Sequence, residues 1–251
     1  IKEKYMRYNE LTFQGRNAVL EAFRSGKTID KLFILDGCQD GPIKSIVREA
    51  KKTDAIINYV DKERLDRLAG TGHHQGVVAI GAAYEYAEVD DILASAKEKG
   101  EDPFIFILDE IEDPHNLGAI IRTANLAGAH GVIIPKRRAV GLTATVAKTS
   151  AGAINYTPVA KVTNISQTIE ELKKQGLWFV CADMGGETMY NLNLKGPIGL
   201  VIGNEGNGVS RLVKDKCDFI ASIPMKGDID SLNASVAAGV LAYEIVRQRL
   251  N

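Results

Sequence analysis

Three polar, glycine-punctuated segments carry side chains that could do chemistry together. The first is Asp113-Pro114-His115-Asn116-Leu117-Gly118, continuing to Arg122-Thr123. The second is Gly203-Asn204-Glu205-Gly206-Asn207-Gly208. The third runs from Ile223-Pro224-Met225-Lys226-Gly227 to Ser231-Leu232-Asn233-Ala234-Ser235. Each follows an apolar run with the pattern of a buried strand. If those strands share one parallel sheet, the segments emerge at its carboxyl edge, where open α/β sheets place their ligands. Asn, Glu, Arg and Ser side chains would then meet in one crevice.

Each segment also has an ordinary structural reading. Asn116 follows a proline turn and precedes the periodic Leu117, Ile120, Ile121 and Ala124, which suits a helix N-cap. On that helix Gly118 and Arg122 lie four residues apart, off the apolar face, on a stripe continued by Asn125; a glycine there leaves room for a ligand against the guanidinium. The Gly203 to Gly208 segment suits a turn. It lacks the Lys-Ser/Thr pair of a phosphate loop, and no Gly-x-Gly-x-x-Gly follows the strand Phe104 to Leu108, which disfavours a dinucleotide-binding Rossmann domain. What remains is an exposed-backbone loop that can hold an adenosine while Glu205 orients a donor. Ser231 suits the cap of the last helix, whose Ala234, Ala237, Ala238 and Gly239 permit close backbone approach. Lys136-Arg137-Arg138, after another strand, is either a solvated loop or a phosphate contact.

The elements that must position these residues alternate. Before residue 85, helical patterns at Asn17 to Phe23 and Ile43 to Lys52 alternate with strand patterns at Lys31 to Leu35, Ile56 to Val60 and Gly76 to Ile80, the last entered through a glycine-flanked His73-His74-Gln75 turn. From Pro103 onward the strands are Phe104 to Leu108, Gly131 to Ile134, Leu177 to Cys181, Ile198 to Ile202 and Phe219 to Ile223. Helices Asn116 to Ala127, Thr143 to Ala151 and Ile165 to Gln175 lie between them, and a long helix from about Leu232 to Leu250 follows. This predicts an α/β fold: a small α/β domain over 1–85, then an α/β domain with a mainly parallel sheet over 103–251. Residues 86–102 hold two basic against six acidic residues; the stretch is expected to be an acidic linker, a solvated helix plus loop.

Composition bounds the function. The chain has 251 residues, 45% hydrophobic and 25% charged, with net charge −1, which argues against indiscriminate coating of nucleic acid while leaving selective binding open. No DNA partner is expected. No apolar stretch approaches the roughly 20 residues of a membrane helix, and the amino end, Ile1 to Tyr5, lacks the apolar core of a secretion signal, so a cytoplasmic location without membrane association is expected. Cys38, Cys181 and Cys217 are widely spaced, which suits reduced packed thiols rather than a disulfide framework or zinc site. His73-His74 has no companion cluster, so no metal is expected.

The three segments, in this order, resemble the SpoU-type branch of the SPOUT RNA ribose 2′-O-methyltransferases. Asn116, Gly118 and Arg122 match the first family motif, Gly203, Glu205 and Gly208 the second. Pro224, Met225, Ser231, Leu232, Asn233 and Ser235 match the third. The resemblance spans Pro103 to Leu250. Gly15-Arg16-Asn17-Ala18-Val19-Leu20-Glu21 and His74-Gln75-Gly76-Val77-Val78-Ala79 look like the ribosomal-protein-like substrate-binding domain of the subgroup that methylates a guanosine of 23S rRNA.

The resemblance implies S-adenosylmethionine as donor, large-subunit rRNA as substrate, a homodimer through the carboxy-terminal domain, and a trefoil knot there. It assigns cofactor binding to Gly203, Ile223, Met225 and Leu232, and catalytic or positioning roles to Asn116, Arg122, Glu205, Ser231 and Asn233. The family's arginine is often described as a general base. An arginine side chain keeps its protons, so Arg122 is expected to stabilise the developing 2′-oxyanion or the neighbouring phosphate. Alternative functions are a tRNA or resistance-type rRNA 2′-O-methyltransferase of the same family, and a non-catalytic RNA-binding or ribosome-assembly protein.

Overall fold

The computed structural model describes residues 11–53, 55–70, 73–229 and 231–250. The Ile1 to Tyr5 reading lies outside the described residues. The chain divides into two units, one formed by the residues up to Glu85 together with Gly141–Ala144, the other by Tyr86–Val140 and the residues from Thr145 onward.

In the first unit, strands β1 (Leu11–Gln14), β2 (Ile29–Leu35), β3 (Ile56–Val60) and β4 (Val77–Gly81) form a sheet in the order β1-β4-β2-β3. Only β2 and β3 run parallel. Helices α1 (Arg16–Arg24), α2 (Gly41–Lys52) and α3 (Lys62–Ala69) connect them. The alternation along β2 sends Leu32 and Ile34 into a core with Val19, Ile43, Ile46 and Val77, and Phe33 into a smaller cluster with Val60, Leu65 and Val78. Asp40 caps α2 by accepting from Ile43 N at 3.1 Å, and Asp61 caps α3 through Arg64 N at 2.7 Å. β1 and α3 have no counterpart in the sequence reading. β1 is a short, half-buried edge strand, and α3 buries only Leu65, so neither has a strong apolar period.

The second unit contains α4 (Val89–Lys99), β5 (Phe104–Asp109), α5 (Pro114–Leu126), β6 (Gly131–Pro135), α6 (Ala144–Thr149), β7 (Val159–Val162), α7 (Ile165–Lys174), β8 (Trp178–Thr188), β9 (Ile198–Gly203), α8 (Arg211–Lys214), β10 (Phe219–Ser222) and α9 (Ala234–Arg249). The six strands lie in the order β10-β8-β9-β5-β6-β7, and every neighbouring pair is parallel. All six carboxyl ends therefore share one edge. β5 is buried along its whole length, which explains its uninterrupted apolar sequence.

The acidic stretch 86–102 is not a solvated connector. Within α4, Ile92 and Ala96 are fully buried, and Ile92 joins a core cluster with Ile105, Ile133 and Phe179. A Cβ on Gly131 would lie 2.6 Å from Ile92, so that glycine lets α4 seat. Ala87 N also donates to Val159 O at 2.9 Å. The acidic residues cover the outer face of a helix whose Val89, Ile92, Leu93 and Ala96 form an apolar stripe at helical spacing.

One irregularity shapes the carboxyl edge. β10 pairs with β8 through Phe219–Val180 and Ile220–Cys181, then resumes at Ala221–Glu187 and Ser222–Thr188. Residues 182–186 of β8 leave that ladder and project beside the neighbouring loop. No described helix is long and apolar enough to cross a membrane.

Candidate active site

The first segment enters α5 through Asp113, whose carboxylate accepts from His115 N at 2.9 Å, with Pro114 at the first helical position. The cap is thus Asp113 and not Asn116. Freed from capping, the buried Asn116 side chain uses both ends elsewhere. Its Nδ2 donates to Glu205 Oε1, and its Oδ1 accepts from Asn233 Nδ2 at 3.1 Å.

Asn233, in turn, is the cap of α9. Its Oδ1 accepts from Ser235 N at 2.9 Å and from Ser235 Oγ at 2.6 Å. Ser231, the cap expected from sequence, lies two residues earlier on the wall of a cavity. Because the Asn233 oxygen is committed to the helix, its amide NH₂ is left for Asn116. A continuous chain, Glu205–Asn116–Asn233–Ser235, therefore joins all three segments.

Glu205 sits in a loop closed on itself. Asn204 and Gly208 exchange backbone hydrogen bonds of 3.2 and 2.8 Å. Asn204 Oδ1 accepts from Gly206 N at 2.7 Å, and Asn204 Nδ2 donates to Glu110 O at 3.1 Å. Ser210 N donates to Asp109 Oδ2 at 2.7 Å, tying the far side of the loop to the end of β5. The fold is possible because position 203 has no side chain: a Cβ there would lie 2.1 Å from the Gly208 carbonyl carbon. Gly208 has φ 66°, which glycine adopts without strain.

This loop, the end of β10 and the entry to α9 enclose a cavity of about 380 Å³. Gly203, Glu205, Ile223, Met225, Ser231 and Leu232 line it, so six of the nine residues singled out in the sequence share one wall system. Asn116 and Asn233 stand behind Glu205 in the hydrogen-bonded chain. Asp183 and Met184, which the sequence reading did not single out, close the other side. They belong to the projecting stretch of β8. Their place just after an apolar strand was a usable signal, but their projection follows from the β8–β10 register.

The cavity wall is acidic, with Asp183 and Glu205 and no lysine, arginine or histidine among the described lining residues. Lys214 Nζ lies 2.7 Å from Asp183 Oδ2, and Gly185 N donates to Oδ1 at 2.9 Å. The Lys214 contact chiefly, with the Gly185 bond, holds the Asp183 carboxyl below the ordinary carboxylate range. Apolar surface from Ile202, Ala221, Ala234 and Ala237 lines the interior. Such a space suits a flat apolar body bearing positive charge.

Gly118 does not leave room for a ligand. A Cβ there would lie 1.8 Å from Thr149 Oγ1 and 2.9 Å from Val146 O, so the glycine brings α5 against α6. Thr149 Oγ1 also lies 3.2 Å from Pro114 O, next to the first turn of α5. Arg122 is exposed, lies outside the cavity lining, and makes no hydrogen bond or ion pair with a described residue. In the loop after β6, Arg138 pairs with Glu110 at 2.8 Å while Arg137 is exposed.

The sequence pattern of the SpoU rRNA methylase family matches residues 103–243, and that of the RNA 2′-O ribose methyltransferase substrate-binding domain matches residues 14–87. YacO of Bacillus subtilis, named as a TrmH-family tRNA/rRNA methyltransferase, is 53% identical over 236 residues, 94% of each chain. A TrmH-family protein of Staphylococcus haemolyticus is 50% identical over 241 residues, 96% of each chain. The crystal structure of the SpoU methyltransferase AviRb from Streptomyces viridochromogenes aligns with a TM-score of 0.61 at 26% identity, covering 97% of this chain and 91% of that one. The same enzyme in complex with the cofactor AdoMet gives 0.60 at 25% identity, covering 100% and 94%. The chain therefore belongs to the SpoU rRNA methylase family, with the substrate-binding domain of the RNA 2′-O ribose methyltransferases at its amino end.

Proposed function

We propose that this protein transfers the methyl group of S-adenosylmethionine to the ribose 2′-hydroxyl of one guanosine in 23S rRNA, as a cytoplasmic homodimer. The observation that carries the reading is the hydrogen-bonded chain Glu205–Asn116–Asn233 set directly beside an acidic, apolar-bodied cavity. The residues present fit the cofactor. The Gly203 to Gly208 loop presents backbone to an adenosine, and Asp183 and Glu205 match the positive charge of a sulfonium and an amino group. When bound, S-adenosylmethionine supplies an electrophilic methyl.

Gly203, Ile223, Met225 and Leu232 form the cofactor-holding wall. Asn116 and Asn233 fix the Glu205 carboxylate, and Ser231 offers a hydroxyl at the rim. Arg122 offers an uncommitted guanidinium that stabilises the 2′-oxygen as it gains negative charge, or the phosphate beside it. The first unit binds RNA, residues 1–85 forming the substrate domain and 103–251 the catalytic one. The dimer reading is supported by exposed apolar side chains on the packed pair α5 and α9, Leu126, Val236 and Tyr243. The same reading includes a trefoil knot in the second unit. The relatives' shared name keeps tRNA as a second substrate class.

The test is to map 2′-O-methylation on rRNA and tRNA from cells with and without the protein. Loss of one guanosine methyl in 23S rRNA supports the reading. Loss in tRNA alone moves the substrate, and unchanged maps of both overturn methyl transfer to either.

A further inference from the structure

We infer that the first unit carries a pocket for a single unpaired RNA nucleobase, formed where the turn 73–76 meets the starts of α1 and α2. The inference rests on the RNA-methylating reading above and adds a recognition site to it. A second cleft of the protein lies here, with Leu35, Cys38 and Gly76 as its floor, Pro42 on one side, and Arg16, Asn17 and Gln75 as a polar rim.

The rim is held in place before any ligand arrives. Gln75 Oε1 accepts from Arg16 N, and Gln75 O accepts from Arg16 Nε, both at 3.1 Å. Arg16 Nη2 reaches Asp40 Oδ2 at 2.5 Å. Beneath them His74 is buried. Its Nδ1 accepts from Gly76 N at 3.0 Å, which leaves the ring proton on Nε2, 2.9 Å from Asp66 Oδ1. Gln75 is kept at φ 51°, a region uncommon for a residue with a side chain. The floor is narrow, since a Cβ on Gly76 would approach Cys38 Sγ to 3.2 Å.

What is left over decides the ligand. The exposed Asn17 side chain makes no bond with a described residue, and the Gln75 Nε2 and Arg16 Nη1 groups are likewise uncommitted among the described residues. Asp40 neutralises Arg16, so the cleft is not the uncompensated cationic site that a phosphate requires. An apolar floor edged by amide donors, an amide acceptor and a charge-paired guanidinium instead fits a flat heterocycle read along its hydrogen-bonding edge. Sequence-specific RNA recognition works in this way on bases splayed out of a helix.

The test uses the full-length protein with 23S rRNA and tRNA transcripts and S-adenosylmethionine. Asn17→Ala removes the free amide. Gln75→Gly suits the positive φ and removes the second free amide together with the Oε1 that accepts from Arg16 N, so Asn17→Ala, which breaks no bond to a described residue, isolates the base contact. Each is expected to weaken binding to the methylated transcript about tenfold, on the scale of one good base contact. The cofactor Kd and the slope of log K against log salt are expected to stay unchanged, because no phosphate contact is lost. Chemical probing of Watson–Crick edges should show one unpaired base protected by wild type and exposed with Asn17→Ala. If wild type methylates a transcript and both variants bind it as tightly as wild type, the pocket is wrong and the function stands. A shallower salt slope in the variants would mean a phosphate contact, and also overturns the base pocket. If wild type methylates neither RNA, the functional reading falls and the inference with it.

Discussion

Asn233 has two jobs, and one substitution separates them. Its oxygen caps α9 through Ser235, while its NH₂ holds Asn116 at 3.1 Å. Asn233→Asp keeps the capping oxygen, and Asn and Asp are nearly equal caps. The helix should therefore keep its stability to within about 0.5 kcal/mol, roughly 1–2 °C in Tm for a chain of this size. The second oxygen of Asp cannot donate, so the buried Asn116 Oδ1 faces a carboxylate instead of an NH₂. Leaving that acceptor unpaired costs about 1–3 kcal/mol. Asn116 can escape by rotating its amide, but then its NH₂ leaves Glu205, which is exposed and free to swing into water. The fold relaxes, and the positioned carboxylate is lost. Charged wholly to the transition state, the same 1–3 kcal/mol lowers kcat/KM roughly 5- to 150-fold. Thermal unfolding and transfer of labelled methyl from S-adenosylmethionine read the two effects separately. Asn233→Ala, which removes both functions, should lose about 1 kcal/mol of stability as well as activity. An Asp variant with wild-type kcat/KM would refute the positioning argument, and one as unstable as the Ala variant would refute the capping argument.

Gly118→Ala should cost about 1–3 kcal/mol by overpacking α5 against α6, with part of the loss recovered by adding Thr149→Ala, since the new Cβ falls 1.8 Å from Thr149 Oγ1. A raised KM for RNA with unchanged Tm would instead restore the idea of a ligand space at Gly118. His130 is buried, with Nδ1 accepting from Phe104 N at 3.0 Å and Nε2 facing Glu101. Burial first, then Lys99, holds its pKa below the ordinary histidine value. The unfolded chain then takes up this proton before the folded one, so the contribution is complete above about pH 6.5 and is lost as pH falls below it. Unfolding midpoints measured between pH 7 and 5 should fall more steeply for wild type than for His130→Gln, and equal slopes would contradict this.

The strands and helices that carry the second unit were legible because their signals are local. Phe104 to Leu108 and Ile198 to Ile202 are unbroken apolar runs, and α7 and α9 occupy nearly the spans their sequences suggest. The acidic stretch misled because charge counts describe a whole segment, whereas burial depends on one face; Ile92 and Ala96 were outvoted by their neighbours. The caps misled for a related reason. Asp113, Asn116, Ser231 and Asn233 are all good capping residues, and which one caps is set by where each helix begins in space. The Gly118 reading failed because a missing side chain looks the same in sequence whether a ligand or a neighbouring helix fills the gap. Asp183 carried only the weak mark of following an apolar strand; its projection into the cavity depends on a register shift between β8 and β10, which no local pattern announces.

The division of labour among the three segments follows from what the caps leave free. Asp113 ends its side-chain role at His115 N, which releases Asn116; Asn233 gives its oxygen to Ser235, which leaves only a donor for Asn116. Asn116 thereby accepts from Asn233 and has only its NH₂ to offer Glu205, so the orientation of every amide in the chain is fixed by one helix cap. This gives the Glu205 carboxylate a defined position in a loop that is otherwise exposed, without burying the charge and incurring its desolvation cost. Arg122 is the complement. It stands on the same helix as Asn116, about two and a half turns beyond the cap Asp113, and is held by no described partner. An uncommitted guanidinium breaks no existing ion pair when it meets the proposed oxyanion, but it must be ordered by the substrate, whereas the proposed cofactor-holding groups are ordered beforehand. The contrast between the bonded chain and the unbonded arginine therefore separates the part of the proposed site that the fold orders from the part that the RNA must order.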